Sequence, residues 1–171
     1  MVTLQEIKQN ESIRVLITAG NRYLDSMGYT EHGPRHVGYV SKTASYILKA
    51  LGYSPREVEL AAIAGWVHDV GNSVNRHEHG PNGAVLLYPI LREAGMEIAD
   101  VVEIITAVGN HEEQSGFISS NVSAALALGV SLEKSAEVLR HTAHVKGRVE
   151  VVPTPGKDYT VLIDYAHSPD A

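Results

Sequence analysis

The sequence contains no cysteine. This absence excludes disulfide bonds, thiolate zinc sites, iron–sulfur clusters and cysteine nucleophiles. A metal site in this chain must therefore be built from histidine and carboxylate ligands, and nine histidines are present. The positions of those histidines are the first feature of the sequence to explain.

The chain also lacks a dense run of lysine and arginine, and its formal net charge is -6 at pH 7. A surface that neutralises many phosphates needs clustered positive charge, so we expect no nucleic acid polymer as a partner. A small phosphorylated substrate is compatible with this balance, because a bound cation supplies positive charge locally. No apolar run approaches the roughly 18 residues of a membrane span, and the N-terminus lacks the basic and apolar stretches of a signal peptide. We therefore expect a cytoplasmic protein with no membrane partner.

The length of 171 residues suffices for one domain with its own core, plus at most a short appendage. Apolar residues recur at helical spacing through the first two thirds of the chain, between glycine, proline and capping signals. This pattern predicts five helices, over Glu11–Met27, Pro34–Gly52, Ser54–Asp69, Pro81–Gly95 and Ile98–Val108.

The pattern changes after Gly116. We predict two short helices broken at Gly129, over residues 120–128 and 131–140. Two strands follow, Val149–Val152 and Tyr159–Ile163, joined by the turn-like stretch Thr154–Asp158. The predicted fold class is therefore mainly α, a helical bundle that ends in a short β-hairpin or an extended tail.

Six of the nine histidines lie between His32 and His111, at or near the ends of predicted helices. His36 opens the second helix, the pair His68-Asp69 closes the third, and His111 follows the fifth. A single His-Asp pair at a helix end is usually an ion pair favoured by the helix dipole. The ordered set instead indicates a metal site, because imidazole and carboxylate suit divalent metals and a helical bundle brings such ligands together.

This order of motifs resembles the HD superfamily of metal-dependent phosphohydrolases, in the branch with additional histidines that is related to HD-GYP domains. The resemblance covers about residues 10–126. It depends on His36, His68-Asp69-Val70-Gly71, His79 with Gly83 four residues later, and Asn110-His111-Glu112-Glu113.

The resemblance implies that His36, His68 and Asp69 hold one metal. It also implies that His79 and His111 help to hold a second, with Asp69 bridging the two as a catalytic residue. One or two divalent ions of Mn, Fe, Zn, Co, Ni or Mg are the expected cofactors. Arg35 is a candidate for binding a substrate phosphate through its forked guanidinium, although its alternative interpretation is a solvated surface charge.

Three further residues have open interpretations. His32 and His77 either support the metal ligands or are ordinary loop residues, and Glu112 is a candidate for orienting His111. Asn72 stands where HD-GYP proteins carry a lysine, so cyclic dinucleotide hydrolysis is not expected.

The chain departs from the family pattern at the last metal ligand. Family members carry an aspartate on a later helix, after a stretch that here begins as Val122-Ser123-Ala124-Ala125-Leu126. The aspartate position falls at about Val130, and Glu133 lies one turn further as a candidate substitute. A complete first metal site is therefore in question.

Residues from about 117 to 171 resemble a fragment of the Mur ligases of peptidoglycan synthesis. The similar stretches are Asn121–Lys134, Val145–Glu150 and Val161–Ala171. No phosphate-binding loop of the form G-x-x-x-x-G-K-S/T is present, so we expect no ligase activity and interpret Asp164 and His167 as strand-end residues. The predicted organisation is an HD domain over 1–126 and a Mur-ligase-like appendage over 127–171.

The leading hypothesis is a metal-dependent phosphohydrolase that acts on a small phosphorylated substrate, such as a nucleotide or a phosphomonoester. One alternative is a catalytically impaired HD module that binds metal or nucleotide without turnover. Another is a di-iron HD oxygenase. A homo-oligomer is compatible with the sequence.

Overall fold

The computed structural model describes residues 1–111, 120–130, 150–152 and 161–163. The chain forms two compact units, Met1–Glu133 and Lys134–Ala171. The described part of the first unit is helical, so the mainly α prediction is confirmed there. Its helices are α1 (Leu4–Gln9), α2 (Glu11–Ser26), α3 (Pro34–Ala50), α4 (Pro55–Val67), α5 (His79–Glu93) and α6 (Ile98–Gly109), followed by helical residues 121–130.

Helix α1 was not predicted from the sequence. It has only six residues, too few for an apolar period, and it forms because Thr3 and Glu6 make a reciprocal capping box. Asn10 ends α1 and then caps α2, where its side-chain oxygen accepts a hydrogen bond from the Ile13 amide at 3.1 Å. The spacing Thr3-x-x-Glu6 was the available sequence signal.

Helices α3 and α4 both begin with proline, a residue whose missing amide hydrogen costs nothing at the first helical position. The predicted capping box of Ser54 and Glu57 is confirmed at the start of α4. The two helices approach closely because Gly65 faces Ser41, where an added Cβ would lie 2.7 Å from the Ser41 nitrogen and Cα. The Ser41 hydroxyl also donates to the Ala62 carbonyl at 2.7 Å.

Helix α5 begins at His79, two residues before the predicted start at Pro81. Glu78 precedes it in the left-handed conformation, with φ of 56°, and turns the chain sharply into the helix. The first turn of α5 packs against the end of α6, because a Cβ on Gly80 would lie 3.0 Å from the Val108 carbonyl oxygen.

The predicted break at Gly129 is wrong, since the helical residues 121–130 continue through it. Gly129 is buried against α3, where an added Cβ would lie 3.4 Å from the Val40 carbonyl oxygen and from the Ala44 nitrogen. The glycine therefore allows close helix packing and does not end the helix. The predicted helix over 131–140 lies outside the described residues.

One apolar core joins these helices. Helices α1 to α6 and the helical residues 121–130 all contribute buried side chains to it, including Ile7, Ile13, Val37, Val40, Leu48, Ile63, Val67, Leu87, Leu91, Val101, Ile104, Ala125 and Leu126. At one edge of this core Arg56 links α4 to α6, because its Nε donates a hydrogen bond to Asp100 Oδ2 at 3.1 Å. None of the helices in the described ranges is long and apolar enough to cross a membrane.

The second unit contains two described strands, β1 (Glu150–Val152) and β2 (Val161–Ile163). They pair antiparallel with Val151 opposite Leu162. The predicted turn over Thr154–Asp158 lies outside the described residues, so the hairpin as a whole stays a prediction.

We expect the variant Gly65→Ala to lose about 1–3 kcal/mol of unfolding free energy, because its new methyl group overpacks the contact with Ser41. Gly38→Ala is the matched control in α3, where the added Cβ meets only the Trp66 ring, at 3.5 Å. The control should be neutral or gain up to about 1 kcal/mol from helix propensity. Urea unfolding followed by circular dichroism measures both, and equal effects would contradict the packing interpretation.

Candidate metal centre

Four helices of the bundle bring their ends to one point. His36 lies in the first turn of α3, His68 ends α4 with Asp69 next to it, His79 begins α5, and His111 follows α6. All five residues predicted as metal ligands are therefore brought together by the fold. They form the two groups of potential ligands found within the described residues.

A glycine makes this convergence possible. Residues Val70–Ser73 form a 3-10 turn directly after Asp69, and Gly71 in this turn passes against the start of α5. A Cβ on Gly71 would collide with the carbonyl oxygen of His79 and lie 2.6 Å from the Gly83 nitrogen. Only glycine allows the turn to come this close, and the contact sets Asp69 beside His79.

The first group consists of His36, His68 and Asp69. Oδ2 of Asp69 lies 3.1 Å from Nε2 of His36 and 3.4 Å from Nε2 of His68. The two Nε2 atoms are 3.1 Å apart. These three atoms therefore face a common point.

The second group consists of Asp69, His79 and His111. Oδ1 of Asp69 lies 3.2 Å from Nε2 of His79, and that nitrogen lies 3.0 Å from Nε2 of His111. Asp69 is shared by the two groups, with one carboxylate oxygen facing each.

Backbone carbonyls determine the tautomers of two rings. Nδ1 of His68 lies 2.9 Å from the Gly65 carbonyl oxygen, and Nδ1 of His111 lies 2.6 Å from that of Val108. A carbonyl oxygen only accepts, so each Nδ1 carries the proton and each Nε2 presents its lone pair to the centre. Such backbone bonds orient metal-binding histidines in proteins.

The donor set fits a divalent cation. Two lone-pair nitrogens and a shared carboxylate converge, and no group in the described ranges donates a well-directed hydrogen bond to the buried Oδ2 of Asp69. A cation would satisfy these acceptors together, whereas a single proton could not. The arrangement can therefore hold metal in each group.

Burial and charge favour the ligand forms of these groups. His68 is 1% exposed, and burial lowers the pKa of its imidazole to about 3, so the ring is neutral at neutral pH. Burial alone would raise the pKa of the Asp69 carboxyl group. The imidazoles of His68, His36 and His79 outweigh that effect and hold the pKa well below its ordinary range.

Asn72 acts on the shared carboxylate. Its Nδ2 donates to Asp69 Oδ1 at 2.9 Å and to the Asp69 backbone oxygen at 3.2 Å, and the residue is buried. The sequence marked Asn72 only as a departure from the HD-GYP lysine, and its contact with Asp69 was not predicted. The sequence signal for this contact was the spacing of three residues between Asp69 and Asn72.

The other candidate residues lie around or beyond the centre. The His32 ring centroid is 4.9 Å from that of His36, so His32 contacts a ligand without joining either group. Arg35 is paired with Glu31 at 3.0 Å and its side chain is 63% exposed, so its role at phosphate stays a prediction. His77 is exposed on the loop before α5.

Some predicted positions cannot be placed at the centre. Glu112, Glu133, Asp164 and His167 lie outside the described residues. Val130, at the position of the expected aspartate, is partly buried and packs against the apolar core.

Comparisons with known proteins match two different families. The HD domain family matches residues 35–148, which is more than half of the chain. A UDP-N-acetylmuramoyl-L-alanyl-D-glutamate--2,6-diaminopimelate ligase of Bacillus cereus is 50% identical over 48 residues, or 28% of this chain and 10% of the ligase. The ligase of the same description from Geobacillus thermodenitrificans is 48% identical over 48 residues, with the same shares of 28% and 10%.

The chain thus spans about a tenth of the length of the curated relatives it matches. No solved structure matches. The resemblances to an HD domain and to a small fragment of a Mur ligase are both confirmed.

The buried, neutral His68 predicts a pH dependence of stability in metal-free protein. Its pKa is about 3 in the folded state against 6.5 when unfolded, so the unfolded chain binds the additional proton between these values. Stability should therefore fall as the pH is lowered from 6.5, by up to about 1.4 kcal/mol per pH unit from this residue. Urea unfolding between pH 7 and pH 5 measures this slope.

The variant His68→Gln should flatten that slope, while His77→Gln on the exposed loop should keep it. An unchanged slope in His68→Gln would contradict the assignment of this proton to His68.

Proposed function

This chain belongs to the HD domain family, and from that premise we propose that it is a metal-dependent phosphohydrolase acting on a small phosphorylated substrate, such as a nucleotide or a phosphomonoester. We also propose a cytoplasmic location and no nucleic acid polymer as a partner. A homo-oligomer is compatible with this function.

One observation carries the proposal. The carboxylate of Asp69 lies between two groups of imidazoles, with Oδ2 facing His36 and His68 and Oδ1 facing His79. A carboxylate that bridges two cations a few ångströms apart is the arrangement of many two-metal hydrolytic sites. This geometry favours phosphoryl hydrolysis over a purely structural ion pair.

Each residue of the site has a distinct role in the proposed function. His36, His68 and Asp69 would hold one divalent cation, and Asp69, His79 and His111 a second. When bound, such cations activate water and neutralise the charge of a phosphoryl group. Asn72 holds the orientation of Asp69, while the Gly65 and Val108 carbonyls fix the rings of His68 and His111. No side-chain nucleophile is needed.

An HD module without turnover is a second candidate, and Val130 favours it. The side chain at this position is apolar and packs on the core, where the family pattern has a carboxylate ligand. A first metal site with one ligand fewer binds its cation more weakly and positions it less well. Metal binding would then persist without efficient hydrolysis.

The variant Asp69→Asn tests the leading proposal. Loss of the bridging charge should reduce bound metal to background and hydrolysis at least about 100-fold, because both groups share this one carboxylate. Proteins loaded with Mn, Fe, Co, Ni or Zn are compared by elemental analysis and by phosphate release from a panel of phosphomonoesters and nucleotides.

His77→Gln is the matched control, since its residue is exposed and belongs to neither group. It should keep both metal and activity. Wild-type protein without stoichiometric metal would refute the proposal. Metal without hydrolysis would favour the module, and iron-specific, oxygen-dependent chemistry would favour the di-iron oxygenase.

The variant Val130→Asp separates the two candidates. If the missing ligand limits the reaction, the new carboxylate should tighten metal binding and raise kcat by about tenfold or more. Leu128→Asp adds the same charge at a position that is 52% exposed and should change neither. Equal results for the two variants would show that the missing aspartate does not limit turnover.

A further inference from the structure

One face of α3 carries a regular series of basic and aromatic side chains. We call this series the α3 stripe, and its members in chain order are Arg35, Tyr39, Lys42, Tyr46 and Lys49. Their spacings of three and four residues place them within an arc of about 80° of the helix surface. All of them are exposed, including Tyr46 at 70% and Tyr39 at 38%. The stripe is therefore one continuous surface along the helix.

The charge of the α3 stripe has one sign, in a chain whose formal net charge is -6. Helix α3 contains no aspartate or glutamate. Arg35 is paired with Glu31 at 3.0 Å, whereas neither Lys42 nor Lys49 takes part in an ion pair within the described ranges. A solvated helix face usually mixes both signs of charge, so a purely basic face with exposed tyrosines indicates an anionic partner.

The tyrosines of the stripe narrow the class of this anion. A single strand of nucleic acid offers phosphates to cationic side chains and bases that stack on aromatic rings. Tyr39 and Tyr46 are separated by two helical turns, about 10 Å along α3, so two bases of one strand can reach the two rings. Stacking does not read the identity of a base, so this surface fits a strand of any sequence.

A lipid surface requires a different kind of helix. An amphipathic helix binds a membrane by inserting its apolar face. The apolar face of α3 is already occupied, because Val37, Val40, Ala44 and Leu48 are buried in the core. The stripe lies on the opposite side of the helix and contains no aliphatic residue. Single-stranded nucleic acid therefore fits this surface better than a membrane does.

The stripe begins at the candidate metal centre. Arg35 precedes His36 in the first turn of α3, and the His36 side chain is 13% exposed, against 7% for Asp69 and 1% for His68. From Arg35 to Lys49 the helix rises about 21 Å, which is the length of about six stacked nucleotides at 3.4 Å each. A strand of this length that lies on the stripe has one end beside His36.

We propose that the α3 stripe binds a single-stranded oligonucleotide of about six nucleotides and directs one of its ends to the metal centre. The inference rests on the proposed function and names its substrate class. A strand this short is a small phosphorylated substrate with few phosphate contacts, whereas the negative net charge argues against a surface for a long polymer. Hydrolysis consumes one water, whose oxygen bonds to phosphorus while the bond to the leaving ribose oxygen breaks. That ribose oxygen takes up a proton from the water.

The first test measures binding without turnover. Fluorescently labelled hexathymidylate is titrated with the full chain in the presence of a chelator, and anisotropy gives the Kd at several salt concentrations. Tyr46→Ala should raise the Kd about tenfold, because one stacking surface is lost, and should leave the salt dependence unchanged. The double variant Lys42→Gln and Lys49→Gln should weaken binding and lower the slope of log Kd against log salt by about 1.4, since each phosphate contact contributes about 0.7.

Two exposed positions outside the stripe provide matched controls. Tyr88→Ala removes a ring that is 46% exposed on α5, and Arg14→Gln removes a charge from the exposed surface of α2. Both should keep the wild-type Kd and salt slope. Equal losses in the stripe variants and the controls would overturn the proposal, and so would a wild-type protein that does not bind the strand.

The second test uses Mn²⁺-loaded protein and two substrates, hexathymidylate and thymidine monophosphate. Tyr46→Ala should raise the KM for the strand about tenfold and leave the KM for the mononucleotide unchanged. The reason is distance, because Tyr46 lies about 15 Å along α3 from His36, beyond the reach of one nucleotide. Equal changes in the two KM values would overturn the delivery of the strand along the stripe.

These measurements separate the two levels of inference. Strand binding that depends on the stripe, in a protein that hydrolyses no phosphoester, would refute the proposed function and leave the binding surface standing. Hydrolysis of mononucleotides by a protein that does not bind the strand would do the reverse. Vesicles of phosphatidylserine test the lipid alternative, and stripe-dependent binding to them without binding to the strand would overturn the oligonucleotide proposal.

Discussion

The burial of the Asp69 carboxylate is the constraint on which the rest of the centre depends. A charge this deeply buried is costly unless opposite charges or hydrogen-bond donors surround it. Here the groups nearest the carboxylate oxygens that can donate to them are the imidazoles of His36 and His79 and the amide of Asn72. His36 and His79 belong to other helices than the one that precedes Asp69, so these helices must meet at one place for the carboxylate to be tolerated.

Two close backbone contacts bring the helices to that place. Gly65 against Ser41 brings α4 onto α3, and Gly71 against the first turn of α5 brings Asp69 to His79. A side chain at either glycine would separate elements that carry candidate ligands. The precision of the centre is therefore set by glycines that are not ligands, and a metal site tolerates such displacement less well than an apolar core does.

Local sequence signals predicted much of the fold. Proline at the first helical position, the capping box at Ser54 and the apolar spacing predicted α2 to α6 close to their observed bounds. They failed for α1, which is too short for periodicity, and at Gly129, where a residue typical of helix ends serves close packing against α3. Whether a glycine ends a helix or allows a neighbour to approach depends on tertiary contacts, which a single sequence does not display.

The sequence predicted the candidate site about as well as it predicted the helices. The order of the histidines and of Asp69 predicted which side chains would meet, and the structure brings them together. The supporting contact of Asn72 with Asp69 was not predicted, because an amide in a polar stretch resembles an ordinary surface residue. This contact depends on the turn that directly follows Asp69.

Metal binding in both groups depends on Asp69, because both groups share its carboxylate. Crystals grown with Mn²⁺ and measured near the manganese absorption edge would locate each ion by its anomalous scattering. We predict a peak in bonding contact with Asp69, shared with His36 and His68, with His79 and His111, or with both pairs. Crystals in which Mn²⁺ scatters elsewhere and no peak touches Asp69 would contradict metal binding by Asp69.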